Sequence, residues 1–344
     1  MSKVLVILTG GTITMVRDRE TSALLPADTE TFKAFVPELF TGGIHVDMAA
    51  FSPLLDSSDV NPENWAKMAH AVYDHYADYD GFVILHGTDT MSYSASALSF
   101  MLENLGKPVV FTGSQLPIGI LRSDAKENLL TAIEIAAAKD EEGNAMVPEV
   151  TLFFGDKLFR GNRTTKRNAE HFAAFSSYNY PWLAKAGVHI AYQPYLVRYS
   201  DPTQPLRLRV NTDTNVGVLK LYPGIQEAFV EQVLHTPGLR GLVLETFGAG
   251  NAPSSDWLYR SLSEAVQRGI IVVNKTQCNT GSVEMGLYAV SMNLLKAGVL
   301  SGYDITTEAL LTKMMYLLGE YPDDTDKVKQ LLQTDICGEI TIEN

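Results

Sequence analysis

The stretch Val4-Leu5-Val6-Ile7-Leu8-Thr9-Gly10-Gly11-Thr12-Ile13 decides how this chain folds. Its apolar start predicts a buried parallel strand. The two glycines predict a sharp turn at the carboxyl end of that strand, where the backbone can pass close to a ligand. Ligands of open α/β sheets bind at that end of the strands. Thr12 is therefore either a turn or capping hydroxyl or a nucleophile, and this stretch alone leaves both interpretations open.

Apolar strands alternate with helical segments through the first part of the chain. We predict strands at 44–51, 82–86, 108–112 and 150–154, and helices at 29–36, 62–76, 91–104 and 124–138. This alternation is typical of a parallel sheet that helices cover on both faces. Right-handed crossovers bring the strand ends to one edge. We therefore expect the turns Asp56-Ser57-Ser58, Thr88-Asp89 and Gly113-Ser114-Gln115 to gather beside Thr12.

A second, smaller α/β domain is predicted after a linker. Residues 192–213 carry three prolines and little helix or strand signal, which is typical of an interdomain segment. Alternation resumes with predicted strands at 216–221, 241–247 and 270–274. The predicted organisation is a larger N-terminal parallel-sheet domain, 1–191, and a C-terminal α/β domain, 214–344. The basic cluster at 157–167 is interpreted as a solvated face.

The composition excludes several classes of function. A formal net charge of −13 disfavours nucleic acid and anionic membranes as partners. Two cysteines and scattered histidines give no disulfide framework and no metal-ligand spacing, so we expect no metal and no cofactor. The stretch Gly248-Ala249-Gly250-Asn251-Ala252-Pro253 lacks the third glycine of a dinucleotide fingerprint. No signal peptide or membrane span is visible, which predicts a cytoplasmic protein.

A threonine nucleophile needs a group that takes its proton. The turns after the strands contain no histidine, and lysines in buried sites can act as bases. Lys166 is the candidate; Asp89 would orient it, and Thr88 would relay a proton or position water. Donors at Ser57 and Ser58 would suit the carboxylate of a small zwitterion, with its ammonium near Asp89. This set fits acyl transfer on a small amide, although for each residue taken singly a helix cap, a turn hydroxyl or a salt bridge is the favoured interpretation.

Six stretches together carry a family resemblance. They are Thr9-Gly10-Gly11-Thr12-Ile13, His86-Gly87-Thr88-Asp89-Thr90, Pro53-Leu54-Leu55-Asp56-Ser57-Ser58-Asp59, Thr112-Gly113-Ser114-Gln115, Arg160-Gly161-Asn162-Arg163-Thr164-Thr165-Lys166 and Gly248-Ala249-Gly250-Asn251-Ala252-Pro253. On these stretches the chain resembles the bacterial-type L-asparaginases, and within them the cytoplasmic type I group. The first two stretches match the two family signatures, and the resemblance spans nearly the whole chain.

The resemblance implies roles for single residues and for the assembly. Thr12 would form the acyl-enzyme, and Thr88, Asp89 and Lys166 would form a second, proton-relaying triad. The implied substrate-binding residues are Asp56, Ser57, Ser58, Thr88, Asp89, Ser114 and Asn251. The implied reaction converts L-asparagine to L-aspartate and ammonia, with minor glutaminase activity. The family forms intimate homodimers, often paired into homotetramers, in which the neighbour's C-terminal domain completes the site; Asn251 is the candidate completing residue.

Two departures from the family pattern concern activation and regulation. Many relatives carry a tyrosine two residues before the proline that matches Pro26; Leu24 stands there, and Tyr288 is our candidate replacement. Some type I enzymes bind asparagine at an allosteric site that includes an arginine after the strand at 241–244. The matching position holds Glu245, whereas the neighbouring Thr276, Gln277 and Cys278 are present. A carboxylate repels the effector's carboxylate, so we expect weak or absent activation by asparagine.

Two other functions remain to be weighed against the amidohydrolase. The amidase subunit of a tRNA-dependent amidotransferase uses a related domain but carries an extra N-terminal module, for which we expect no room before the first strand. An inactive amino-acid-binding regulator would need neither Thr12 nor Lys166. The presence of both favours the enzyme.

Overall fold

The computed structural model describes residues 1–17, 24–26, 29–40, 42–286 and 289–342. It contains two compact units, Met1–Val210 and Asn211–Asn344. Among the residues described, none of the helices has the length and apolar character that crossing a membrane requires. Each unit is built on its own sheet, which confirms the predicted pair of α/β domains.

In its described residues, the first unit contains one large sheet, three two-stranded sheets and four α-helices. Its strands are β1 Ser2–Gly10, β2 Met15–Arg17, β3 Leu24–Pro26, β4 Ile44–Leu55, β5 Gly81–Leu85, β6 Leu102–Glu103, β7 Val109–Thr112, β8 Val150–Phe154, β9 Lys157–Arg160, β10 Thr165–Lys166, β11 Phe175–Ser176, β12 Ala184–Lys185, β13 Ala191–Tyr192 and β14 Arg207–Leu208. Its helices are α1 Thr29–Phe35, α2 Pro62–Asp74, α3 Met91–Met101 and α4 Ala125–Ala137.

The position of β1 in the large sheet explains why its end can carry a site. The strand order is β13-β12-β9-β8-β7-β5-β1-β4, so β1 lies between two parallel neighbours, β4 and β5. Residues 4–10 are buried, as the apolar run predicts. The turn after Gly10 therefore leaves the sheet between two other strand ends.

The sheet is parallel from β4 to β8, and the remaining three strands run antiparallel to their neighbours. Only Gly155 and Asp156 separate β8 from β9, and a parallel crossover needs a dozen residues or more. Gly155 has a φ of +67°, a conformation that glycine adopts without strain. The chain therefore turns straight back at this point, which the strand–helix alternation did not indicate.

This antiparallel return corrects the interpretation of the basic cluster. Arg160 and Arg163 are 3% and 2% exposed, so a solvated face is the wrong description of these two residues. Arg160 ends β9, an inner strand of the sheet, and Arg163 lies in the 3-10 helix Gly161–Arg163 that follows. Buried guanidinium groups need partners, and the sequence spacing does not indicate them.

The second unit is the smaller α/β domain that the sequence predicts, and its sheet is parallel. Its strands are β15 Val216–Lys220, β16 Gly241–Thr246, β17 Ile271–Thr276 and β18 Leu300–Ser301, in that order in the sheet. Its helices are α5 Glu227–Leu234, α6 Asp256–Gln267, α7 Ala289–Lys296, α8 Thr307–Glu320 and α9 Thr325–Leu332. In the predicted linker, β14 pairs with β6 of the first unit. The predicted limits of the linker, 192 and 213, stay predictions.

Candidate active site

Two glycines from different strand ends touch and so fix the centre of the site. A Cβ atom on Gly11 would lie 2.3 Å from both the Cα and the backbone nitrogen of Gly87, a distance that no side chain tolerates. Gly11 also has a φ of +82°, which favours glycine. The turn after β1 and the turn after β5 are therefore in backbone contact, and Thr12 and Thr88, the next residues in each, are neighbours.

The other two polar turns pack around the same point. A Cβ atom on Gly87 would lie 2.4 Å from Ser57 Oγ, and one on Gly113 would lie 2.4 Å from the His86 carbonyl oxygen. Thr90 Oγ1 donates a hydrogen bond to the Ser57 carbonyl at 2.6 Å. The four turns thus meet at one edge of the large sheet.

Lys166 joins the Thr88 turn through two hydrogen bonds. Lys166 Nζ donates to Thr88 Oγ1 at 2.8 Å and to Asp89 Oδ1 at 2.7 Å. The lysine side chain is 18% exposed, whereas the Asp89 side chain is 64% exposed. The Thr88 hydroxyl in turn donates to Gln115 Oε1 at a long 3.4 Å. A cation, a hydroxyl and a carboxylate therefore lie in direct contact beside Thr12, although Lys166 follows Thr88 by 78 residues.

A buried ion pair connects the segment that leads to Lys166 with the large sheet. Arg160 Nε and Nη2 donate to the two oxygens of Glu149 at 2.6 and 3.0 Å. Burial alone would lower the pKa of the Arg160 guanidinium, but the hydrogen bond and charge of Glu149 outweigh it and raise that pKa above its usual value. Thr164 Oγ1 lies 3.1 Å from Ser92 Oγ on α3, which ties the same segment to the helix that follows Thr88.

We expect Arg160→Met to lower the free energy of unfolding by about 3–5 kcal/mol, because it leaves the Glu149 carboxylate buried without its counter-ion. Urea unfolding of the variant at pH 7 measures this loss. The double variant Arg160→Met/Glu149→Leu is the matched control and should recover part of the stability, because both buried charges are gone. A single variant within about 1 kcal/mol of the parent would contradict the assigned role of the pair.

The remaining predicted substrate-binding residues of the first unit differ in their exposure and in the hydrogen bonds that they already make. Asp56 Oδ1 accepts from the backbone N–H and the hydroxyl of Ser58 at 2.9 and 2.8 Å, and these bonds lower the pKa of Asp56. Asp56 and Ser58 are exposed, and Ser57 is buried against Gly87. Ser114 is buried, and its hydroxyl donates to the Leu116 carbonyl at 2.6 Å within its own turn.

The backbone N–H groups of Thr12 and Thr88 lie at the centre of the site. Among the residues that the structure describes, no acceptor pairs with the N–H of Thr12 or of Thr88. Thr12 opens the short 3-10 helix Thr12–Thr14, in which the first N–H groups have no partner in the helix itself. Free N–H groups at such a place can stabilise an anion or a developing oxyanion.

The second unit holds the other predicted residues. Asn251 Oδ1 is buried, and it pairs with no donor in the described part of the chain. Glu245 is 13% exposed, accepts from Thr307 Oγ1 at 2.6 Å and lies 4.0 Å from Lys220 Nζ. The side chains of Thr276 and Gln277 donate to the backbone carbonyls of Gly248, Leu221 and Glu245, and Thr276 Oγ1 accepts from the Cys278 N–H at 3.0 Å.

The tyrosine predicted to assist Thr12 is outside the part of the chain that the structure describes. Tyr288 lies outside the described residues, as does most of the loop 17–27. The backbone of Leu24 is in β3, which pairs with β2. The assignment of Tyr288 therefore stays a prediction.

Reasoning from the sequence assigned no role to three residues that contact or support the site. Gln115 contacts Thr88, Glu149 anchors the Lys166 segment, and His86 lies directly behind the Gly87-Thr88 turn. Glu149 gives no local signal, because its partner lies on the next strand. His86 does give a local signal, because a histidine at the end of a fully apolar strand, directly before a glycine turn, is expected to be a buried polar side chain.

Comparisons with known proteins agree with the division of the chain into two units. Residues 3–197 match the family model described as "Asparaginase, N-terminal", and residues 215–332 match "Glutaminase/Asparaginase C-terminal domain". L-asparaginase 1 of Escherichia coli K12 is 45% identical over 97% of this chain and 96% of the relative. The crystal structure of L-asparaginase I from Vibrio cholerae has a TM-score of 0.90 and 42% identity, and covers 99% of both chains. The thermostable L-asparaginase from Thermococcus kodakarensis has a TM-score of 0.88 and 35% identity, and the match covers 99% of this chain and 100% of that one.

Proposed function

Because the chain belongs to the asparaginase family, we propose that it is an L-asparagine amidohydrolase that releases L-aspartate and ammonia. The observation that carries the proposal is the contact of Lys166 Nζ with Thr88 Oγ1 and Asp89 Oδ1, next to the point where Gly11 and Gly87 touch. A protein that only binds an amino acid would need neither the Thr12 hydroxyl nor a lysine in contact with Thr88.

In the first half of the proposed reaction, Thr12 is the nucleophile. Its Oγ1 attacks the amide carbon of the substrate side chain, and the free N–H groups of Thr12 and Thr88 stabilise the oxyanion. The tetrahedral intermediate collapses by breaking the carbon–nitrogen bond. The hydroxyl proton of Thr12 ends on the leaving nitrogen, so ammonia departs and an aspartyl ester remains on Thr12.

In the second half, water replaces ammonia. Thr88, Lys166 and Asp89 hold and polarise this water through the hydrogen-bonded chain described above. Water attacks the ester carbon, one of its protons returns to Thr12 Oγ1, and L-aspartate leaves. We assign no cofactor and no metal to either half.

Substrate recognition is proposed for polar groups of the turns and for Asn251 of a second copy. The carboxylate of the substrate would bind at Ser57 and Ser58, and its ammonium at Asp89, Asp56 and Asn251 of a second copy. Asp89 and Asp56 are exposed carboxylates, which supports the ammonium part of this assignment. Asparagine and glutamine differ by one methylene, worth only ~1–3 kcal/mol of discrimination, so minor glutaminase activity is expected.

The resemblance to type I enzymes also supports a proposal on assembly and compartment. We assign the protein to the cytoplasm and expect a homodimer or a homotetramer, with the C-terminal domain of a neighbouring copy completing each site. Sedimentation equilibrium measures the number of subunits. A monomer with full activity would contradict the completing role of Asn251.

A steady-state ammonia assay on asparagine and on glutamine, over a wide range of concentration, tests the proposed function. The expected result is turnover of asparagine that clearly exceeds turnover of glutamine. Absence of ammonia from both amides would refute the proposal.

The same assay tests regulation at Glu245. We expect a hyperbolic dependence of rate on asparagine concentration, because Glu245 offers a carboxylate where an effector's carboxylate would bind. The side chains of Thr276 and Gln277 also donate hydrogen bonds to backbone carbonyls, and these donors are therefore already paired. Added asparagine should therefore not activate the enzyme, and a sigmoidal curve would contradict this prediction.

A further inference from the structure

His86 belongs to a series of hydrogen bonds that runs from α2 through the core to the turn that carries Thr88. The indole N–H of Trp65, on α2, donates to Ser94 Oγ at 3.1 Å. Ser94, on α3, lies 2.9 Å from His86 Nε2. His86 Nδ1 lies 2.7 Å from the Gly87 carbonyl oxygen. His86 and Ser94 are buried, and the imidazole packs edge-on against Phe111.

The hydrogen-bond partners of His86 determine which of its imidazole nitrogens carries the proton. A carbonyl oxygen only accepts, so Nδ1 must be the N–H that donates to Gly87. The indole of Trp65 only donates, so it occupies a lone pair of Ser94 and leaves the hydroxyl proton free. Ser94 can then donate to Nε2 if the ring is neutral. Burial lowers the pKa of His86 to about 4, although its bond to Gly87 acts in the opposite direction, so the neutral form is the one present at neutral pH.

The orientation of the Gly87 carbonyl decides where the next N–H points. Ser52-Pro53 is the cis bond recorded among the described residues, so the Gly87–Thr88 bond is trans. In a trans peptide the C=O and N–H groups of one unit point in opposite directions. Since His86 holds the Gly87 carbonyl in the core, the Thr88 N–H must point away from the core, toward the crevice where Thr12 lies.

We propose that His86 is a positioning residue of the reaction: its imidazole, oriented by Ser94, holds the Gly87–Thr88 peptide so that the Thr88 N–H faces the developing oxyanion. The proposal rests on the proposed function, since it assigns that N–H to the oxyanion. His86 touches neither the substrate nor the reacting atoms. A glycine at 87 needs this support more than other residues would, because its backbone has the widest choice of conformations.

Replacing His86 by leucine and by asparagine separates positioning from packing. Leucine keeps more of the buried volume but has no donor for the Gly87 carbonyl. Asparagine is smaller, but its Nδ2 can occupy the place of the imidazole Nδ1 and donate to that carbonyl. Packing alone would therefore favour leucine, and positioning favours asparagine. We expect His86→Leu to lower kcat about tenfold or more, because a preorganised oxyanion donor contributes roughly 10²–10³ in rate and here is loosened rather than removed.

The supporting result is a low kcat with KM within about threefold of the parent for His86→Leu, and a kcat for His86→Asn close to the parent. His45→Leu is the matched control, since His45 is an exposed histidine of the same unit and should leave kcat unchanged. Should the leucine variant fail to fold, Ser94→Ala removes the donor that orients the ring and should lower kcat several-fold at constant KM.

A leucine variant as fast as the parent, or an asparagine variant as slow as the leucine variant, would overturn the positioning role. In the absence of a folded leucine variant, an unchanged kcat in Ser94→Ala would do the same. These outcomes differ from failure of the proposed function: a parent protein that releases no ammonia from asparagine refutes the function, whereas an active parent with an equally active leucine variant refutes only the role of His86.

Discussion

Thr12→Ala should lower the rate of ammonia release from asparagine by ~10⁴-fold or more while leaving both units folded, because it removes the atom that forms the acyl-enzyme. Thr12 opens a short 3-10 helix and is only partly buried, so the loss of its side chain costs little packing. The measurement is kcat for asparagine, with circular dichroism and thermal melting as the check of folding.

Thr12→Ser is the matched control for this prediction. It keeps an oxygen nucleophile in the same place and should retain activity within about two orders of magnitude of the parent, far above the alanine variant. Mass spectrometry of rapidly quenched reactions adds a direct test. An aspartyl adduct should appear on the peptide that contains Thr12 in the parent and be absent in Thr12→Ala. Turnover near the parent rate in the alanine variant would show that another group is the nucleophile.

Lys166→Met should lower kcat by ~10³-fold, within the range that positioned acid–base groups contribute. The lysine donates to both Thr88 Oγ1 and Asp89 Oδ1, and methionine keeps the length of the side chain without either bond. The free energy of unfolding should change by less than about 1 kcal/mol, because the Asp89 carboxylate is largely exposed and is resolvated when its partner is lost.

Lys185→Met is the matched control for the lysine. Lys185 Nζ lies 3.6 Å from Asp156 Oδ2, and both side chains are about half exposed, so this is a surface ion pair of the same unit whose residues are not among the predicted site residues. Its replacement should leave kcat unchanged. If Lys166→Met kept more than about a tenth of the parent's kcat, Lys166 would be a salt-bridge residue without a role in the proton relay.

The fold could be predicted from the sequence wherever the signal was local. The apolar run before Gly10-Gly11 predicted β1, and the helix predicted from residue 62 begins there as α2, where Asn61 and Asn64 form a reciprocal capping box. The reversal at Gly155-Asp156 was not predicted, because a single glycine after a strand is equally consistent with a crossover. The burial of Arg160 followed from that reversal and was therefore missed with it.

For the candidate site, the sequence by itself determined which chemical groups lie at the strand ends: Thr12, Ser57 and Thr88 each follow a strand. This could be predicted because strands and turns are indicated by the pattern of apolar residues and by the turn-forming residues next to them in the chain. The tertiary structure alone decided which of them meet. Backbone contact between Gly11 and Gly87 joins the turn after β1, which carries Thr12, to the turn after β5, which carries Thr88, and the antiparallel return after β8 brings Lys166 to Thr88. The physical reason is that such contacts depend on strand order and direction, which are settled by the packing of the whole sheet. The same packing closes the core behind Gly87, and there the buried imidazole of His86 holds a carbonyl that no local pattern assigns to it.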